Sequence, residues 1–342
     1  MNQIGLDIGN DTLKFVEVKP EKYGYSLVNV GKAPSGKLGI LADSSREKDA
    51  AKEYLTDFVV QNNLLGKYVN IAIPESLIFT RIITLPVLKG KELDNAVRIE
   101  VEQVSPIPLA EASMNFQQLP NIKPGDDKCE ILAVIAPKSL TKKLHGLATS
   151  SGLRVKSIEP ETSALCRGLI SNKDNPPTLV INIGHTSSTI VVYSNDAIRL
   201  TRPFPTGFSS IVKAVSQELD LETVQAEEYV KTYGFLSDKL SGKIKQAINP
   251  IYAIVLNEMK RAITYFETRG YSESIKRIIL SGGGALTPGI VVYTANFLNT
   301  EVQIADPWEM YSDIGKYKDR TKELEDIAPL FSVASGLAQK HL

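Results

Sequence analysis

Gly5-Leu6-Asp7-Ile8-Gly9-Asn10-Asp11-Thr12-Leu13-Lys14-Phe15-Val16-Glu17-Val18 is the stretch on which the fold turns. Apolar residues on either side of an Asp, Gly, Asn and Thr cluster predict a strand, a tight turn and a second strand. The turn residues are types that tolerate left-handed backbone and expose N–H groups. Such a turn cradles an anion in its amides. Asp7, at the end of the first strand, can hold a hydrated metal, and Lys14 can reach back to a phosphate. Asp-Ile-Gly turns also occur in plain hairpins, so this stretch alone leaves both readings open.

The chain repeats the design. Leu179-Val180-Ile181-Asn182-Ile183-Gly184-His185-Thr186-Ser187-Ser188-Thr189-Ile190-Val191-Val192-Tyr193 is again apolar strand, Asx-Ile-Gly, polar turn and apolar strand. Asn182 follows Asp7, and Gly184 follows Gly9, by 175 positions (182 − 7 and 184 − 9), about half of the 342 residues. A half-length repeat predicts two related halves rather than a solenoid, whose periods are several times shorter. Near the end of the second half, Ile278-Ile279-Leu280-Ser281-Gly282-Gly283-Gly284-Ala285-Leu286 reads as strand, triple glycine and helix. Three glycines let a flat ligand lie against backbone.

Two such hairpins and a late triple glycine, in this order, resemble the actin-like ATPase superfamily. Its first hairpin reads Asp-x-Gly with a Lys seven residues after the Asp, the spacing of Asp7 and Lys14; its adenosine motif is matched by 282–284. The resemblance implies an α/β, two-lobed fold built from duplicated ribonuclease H-like halves, with ATP or ADP and Mg2+ between the lobes. It implies that Asp7, Gly9, Asn10, Asp11, Thr12, Lys14, Gly184, His185, Thr186 and Ser187 face the phosphates. It gives the adenosine to Gly282, Gly283, Gly284 and Leu286, and the magnesium to Asp7 and Asn182. On a helix expected over 243–268, Glu258 and Arg261 lie three apart on one face. The ordinary reading is an exposed ion pair; the resemblance implies contact with the ribose, and Arg261 can also stack on adenine.

Two residues depart from the superfamily pattern. Asn182 stands where an Asp usually orients metal-bound water, and an amide contributes no charge to hold the cation. Asp11 stands in a turn commonly rich in Ser or Thr. Facing inward it would repel a terminal phosphate; facing solvent it is an ordinary turn former. Both departures argue for slow hydrolysis at most, and no catalytic residue is assigned. His145 and His185 read as structural rather than catalytic histidines.

Charge is balanced, with 39 basic and 39 acidic residues, so there is no bulk electrostatic case for nucleic acid. Cys129 and Cys166 are too few and too far apart for a disulfide scaffold or a zinc site, and fit a reducing compartment. No apolar run approaches the ~20 residues that span a bilayer, so direct membrane insertion is not expected. There is no Gly-x-Ser-x-Gly, Walker lysine loop or Rossmann Gly-x-Gly-x-x-Gly.

Taken in order, strands are expected at 24–30, 69–73, 76–85, 113–119, 128–136 and 196–201. A loop is expected over 33–45, a second over 120–127 and a polar linker over 172–177. Helices are expected at 46–62, 90–104, 138–150, 159–170, 208–219, 222–233 and 243–268, the last broken or bent at Pro250. The expected domains are a first-lobe core at 1–74, completed by 156–176 and 326–342, an inserted unit at 75–155, and a second lobe at 177–325 with 208–250 as its smaller helical part.

The insertion narrows the resemblance to the FtsA/PilM branch. The matching residues are Ile73-Pro74, Ile82-Ile83-Thr84-Leu85-Pro86, a helix with Glu100 and Glu102 before Val104-Ser105-Pro106-Ile107-Pro108, and the closing Val333-Ala334-Ser335-Gly336-Leu337-Ala338. Within that branch the chain is similar to the type IV pilus assembly proteins. This implies a nucleotide-binding component of the pilus platform, cytoplasmic and peripheral to the inner membrane. The implied partner is a PilN-like inner-membrane protein, whose N-terminal cytoplasmic peptide docks between the first lobe and the insertion. Contacts with pilus motor or platform proteins, and self-association, are further implications. An FtsA-like filament adaptor at the division site and a small-molecule kinase are the alternatives.

Overall fold

The computed structural model describes residues 2–36, 44–120, 127–170, 176–236, 240–269 and 274–340. Most of the expected loops at 33–45 and 120–127 and of the linker at 172–177 therefore lie outside the described residues.

The opening hairpin is Gln3–Ile8 (β1) and Thr12–Pro20 (β2), followed by Tyr25–Pro34 (β3), the helix Ser45–Gln61 (α1) and Tyr68–Ile73 (β4). The insertion runs through Phe79–Pro86 (β5), Gly90–Val104 (α2), Ala112–Gln118 (β6) and Lys128–Pro137 (β7). Lys138–Ser150 (α3), Arg154–Pro160 (β8) and Glu161–Leu169 (α4) lead to the second half. There, Thr178–Ile183 (β9), Ser188–Ser194 (β10) and Ala197–Phe204 (β11) precede Phe208–Leu219 (α5), Thr223–Tyr233 (α6) and Lys243–Thr268 (α7). Arg277–Ser281 (β12), Ile290–Leu298 (α8), Glu301–Ile304 (β13), Thr321–Glu325 (α9) and Ser332–Ala338 (α10) complete the chain.

The half-length repeat becomes two sheets of one topology. The first is ordered β3-β2-β1-β4-β8 and the second β11-β10-β9-β12-β13. In each, the hairpin strands are antiparallel and the two later strands parallel. Register repeats as well: Asp7 faces Lys14 across the first hairpin, and Asn182 faces Thr189 across the second.

α1 starts where Ser44 caps the backbone of Glu47 and the Glu47 side chain accepts from the Ser44 N–H, a reciprocal capping box. It buries Leu55, Phe58 and Val59 against Leu6, Phe15 and Ile71 of the first sheet, and α3 adds Leu144 and Ala148 to the same core. The strand β8 falls where no strand was expected, ahead of the 159–170 helix. Pro160 ends it and supplies the extended residue that precedes α4.

The insertion is a three-stranded antiparallel sheet, β5-β7-β6. One face packs on Val97 and Val101 of α2 through Leu85, Ile131, Ala133 and Ile135. On the other face, Leu119 and Leu132 share a core with Val180, Val191 and Ile198 of the second lobe.

Of the expected break or bend at Pro250, the break does not occur: helix α7 runs through that residue. Its buried stripe, from Ile244 through Tyr252, Leu256 and Met259 to Phe266, outweighs the one backbone hydrogen bond that a proline removes. Helix α10 packs closely on its neighbours at two glycines. A Cβ on Gly5 would run into the Ala334 carbonyl oxygen, and one on Gly336 into that of Ala164. Only glycines let α10 lie on β1 and α4 at once.

Candidate functional site

Both hairpin turns come from the ends of central strands and meet at one cavity of about 500 Å3 between the lobes. Its volume falls in the range of small-molecule sites, ~300–1,000 Å3. The first turn contributes Asp7, Gly9, Asn10, Asp11, Thr12 and Lys14, and the second Asn182, Gly184, His185, Thr186 and Ser187. Gly282, Gly283 and Leu286 form another wall. Fourteen of the residues named from the sequence thus line one cavity.

Three expected residues fall elsewhere. Gly284 is buried and does not line the cavity; a Cβ there would run into Ile183. Its need for glycine is a packing need. Glu258 is buried on α7, where it accepts from Arg261 Nη1 at 2.6 Å and from Arg202 Nε. Neither Glu258 nor Arg261 lines the cavity. The ion-pair reading describes them, with Arg202 of β11 as a second cation.

Helix α6, which carries no residue expected at the site, does reach the cavity. Glu227 and Lys231 line it and pair at 2.7 Å in an i,i+4 relationship. Their spacing is visible in sequence, but nothing local marks which helix docks over the cleft. Lys32 of β3, the cross-strand partner of Lys14, also lines it. So does Glu161, the first residue of α4.

Electrostatics are set by two couples. Lys14 Nζ donates to Asp7 Oδ2 at 2.8 Å, which holds the lysine at the turn and leaves Asp7 its other oxygen. Glu161 Oε1 accepts from the Thr189 hydroxyl of the opposite lobe at 2.9 Å and from the Glu75 N–H at 3.2 Å. Burial pushes the Glu161 carboxyl up to about 7, opposed by those two hydrogen bonds. Burial also raises Glu75, which accepts from the Thr162 hydroxyl at 2.9 Å. An acid titrating near neutrality and facing the cavity can take or give a proton there.

The lining fits a nucleotide. Lys14, Lys32 and Lys231 supply positive charge, and Gly283 presents backbone where a Cβ would come within 3.3 Å of Leu330. Among the described residues, no group of three or more His, Cys, Asp or Glu could hold a metal. Asp7 and Asn182 would therefore hold Mg2+ only together with phosphate oxygens and water, a usual arrangement for this cation.

Comparisons with known proteins agree with this architecture. The chain is 29% identical over 186 residues to cell division protein FtsA of Neisseria meningitidis serogroup B, covering 46% of this chain and 41% of that protein. It is 22% identical over 350 residues to FtsA of Bacillus subtilis, covering 89% and 78%. Among solved structures, it superposes on a PilM-PilN type IV pilus biogenesis complex with a TM-score of 0.83, at 22% identity and 99% and 98% coverage. Ethanolamine utilization protein EutJ from Carboxydothermus hydrogenoformans gives 0.61 at 15% identity, covering 99% and 89%. ADP-bound MreB5 of Spiroplasma citri gives 0.54 at 15% identity, covering 98% and 94%. The fold is that of the actin-like ATPases. The family model described as type IV pilus assembly protein PilM matches residues 5–342, and the chain belongs to that family.

Proposed function

We propose that the protein is a nucleotide-binding adaptor of type IV pilus assembly, taking ATP or ADP with Mg2+ between its lobes. The convergence of two Asx-Ile-Gly turns and Gly282-Gly283 on one interlobe cavity carries the reading. Charged lining and a glycine wall suit a polyphosphate and a flat base. Asn182 and Asp11 make it a poor hydrolase, suited to reporting nucleotide state rather than to turnover.

The partner in this reading is a PilN-like inner-membrane protein, as in the PilM-PilN complex that this fold resembles. Its cytoplasmic N-terminal peptide would lie between the first lobe and the inserted sheet. There, main-chain hydrogen bonds and alternate side-chain pockets recognise an extended segment. Among the described residues no helix is long and apolar enough to cross a membrane; attachment to the inner membrane would run through that partner. The sequence similarity to FtsA favours, as a second reading, a filament adaptor at the division site.

Calorimetry tests both parts. ADP-Mg and ATP-Mg are titrated into the protein, followed by a synthetic peptide copied from the N-terminus of the membrane protein encoded alongside it. No heat and no thermal stabilisation with either nucleotide removes the nucleotide reading. No peptide binding in any nucleotide state, to folded protein, removes the docking reading.

A further inference from the structure

The two turns that frame the cavity touch each other. Asn10 Nδ2 on the first lobe donates to Thr186 Oγ1 on the second at 3.0 Å. Asp11 Oδ1 lies 4.0 Å from His185 Nδ1. All four residues line the cavity.

The backbone behind these side chains is anchored. Gly9 N–H donates to the Thr12 carbonyl and Gly184 N–H to that of Ser187, each at 3.0 Å. Ser35 N–H donates to the Asp11 carbonyl, and Ser209 N–H, in the first turn of α5, to that of His185, each at 2.8 Å. The tips are thus held at each other by fixed backbone.

Charge at this contact disfavours one phosphate more than another. Asp11 places a carboxylate at it, while Lys14 is already engaged by Asp7. Asn182 brings no charge to retain a cation that would neutralise extra phosphate. Each added phosphate brings negative charge towards that carboxylate.

We infer that the touching turns act as a clasp, by which this site selects a nucleoside diphosphate over the matching triphosphate. A terminal phosphate has to part Asn10 from Thr186 and settle beside the Asp11 carboxylate; a diphosphate does neither. The clasp rests on the nucleotide-binding reading above, and the test separates the two.

ADP and ATP, each with excess Mg2+, are titrated into the full chain by calorimetry, with the nucleotide verified intact afterwards. The protein is wild type, Asp11→Ser or Thr186→Val. Both substitutions sit in partly or fully exposed turn positions, and the second stands in if the first fails to fold. The expected result is ADP binding at least about fivefold tighter than ATP to wild type, about the scale of a surface electrostatic contact. That ratio falls towards one in each folded variant. A wild-type ratio at or below one, or a ratio unchanged in the variants, overturns the clasp while nucleotide binding stands. Binding of neither nucleotide overturns both.

Discussion

Arg199 of β11 is fully buried and donates to Glu130 of β7 at 2.9 Å, while its other guanidinium nitrogens reach the Pro120 and Ser194 carbonyls. It thereby fastens the sheet inserted in the first lobe to the second lobe. Around it, Leu119 and Leu132 pack on Val191 and Ile198. The insertion is covalently part of one lobe and packed into the core of the other.

Arg199→Met keeps much of the buried volume and withdraws the charge from Glu130 and the donors from two carbonyls. The Glu130 side chain keeps 20% of its exposure, so breaking this part-buried pair and leaving two carbonyls without a donor should cost about 1–3 kcal/mol. Urea denaturation should show the loss. A change below about 1 kcal/mol, the level of an exposed pair, would mean that the apolar contacts alone fasten the insertion.

The three glycines at 282–284 should respond differently. Gly283→Val adds side chain beside Leu330, at 3.3 Å from the first added carbon, so the protein folds and nucleotide stabilisation disappears. Gly284→Ala drives a methyl into Ile183. It should destabilise the protein by about 1–3 kcal/mol, as overpacking does. Thermal melts with and without ADP-Mg separate the two outcomes; unchanged stabilisation of Gly283→Val sinks the nucleotide site.

Lys231→Ala on α6 should weaken nucleotide binding by about tenfold, the scale of one charge-assisted contact. Glu258→Ala on α7 should leave the affinity within about twofold, since Glu258 is engaged with Arg202 and Arg261 outside the cavity. Equal losses in both variants would restore the ribose role implied for Glu258.

Glu161 predicts a pH dependence. Its folded value of about 7 lies above the ordinary 4.5, so the folded protein holds a proton that the unfolded chain releases. The resulting stability is fully present below pH 4.5 and is lost as pH rises from there through about 7. Glu161→Gln should flatten that part of the profile relative to wild type. Parallel profiles between pH 4.5 and 7.5 would show that the wild-type carboxyl titrates normally.

What was legible in the sequence was local. The hairpins announce themselves because strand, turn and strand lie within fourteen residues at 5–18 and fifteen at 179–193, and their repetition gave the two lobes. Residues brought to the cavity from afar were not legible. Glu227 and Lys231 look like any solvent-facing helical pair, and only the docking of α6 makes them lining. Glu161 has an unremarkable neighbourhood until β10 brings Thr189 against it. Strand β8 escaped because, at the sheet edge, it alternates exposed Arg154 and Lys156 with half-buried neighbours, a guarded edge with little apolar signal.

Helix α10 orders events in time. Its Gly336 and Ala334 complete the packing around β1 and α4, yet they are translated after every strand of the second lobe. The second sheet and its helices can close as soon as β13 emerges, whereas β1 waits for a segment more than three hundred residues downstream. Domains usually mature in the order in which they leave the ribosome; here the half made first is finished last. A chain ending just before residue 332 and released from the ribosome should therefore carry a protease-resistant second lobe and a first lobe still open to cleavage.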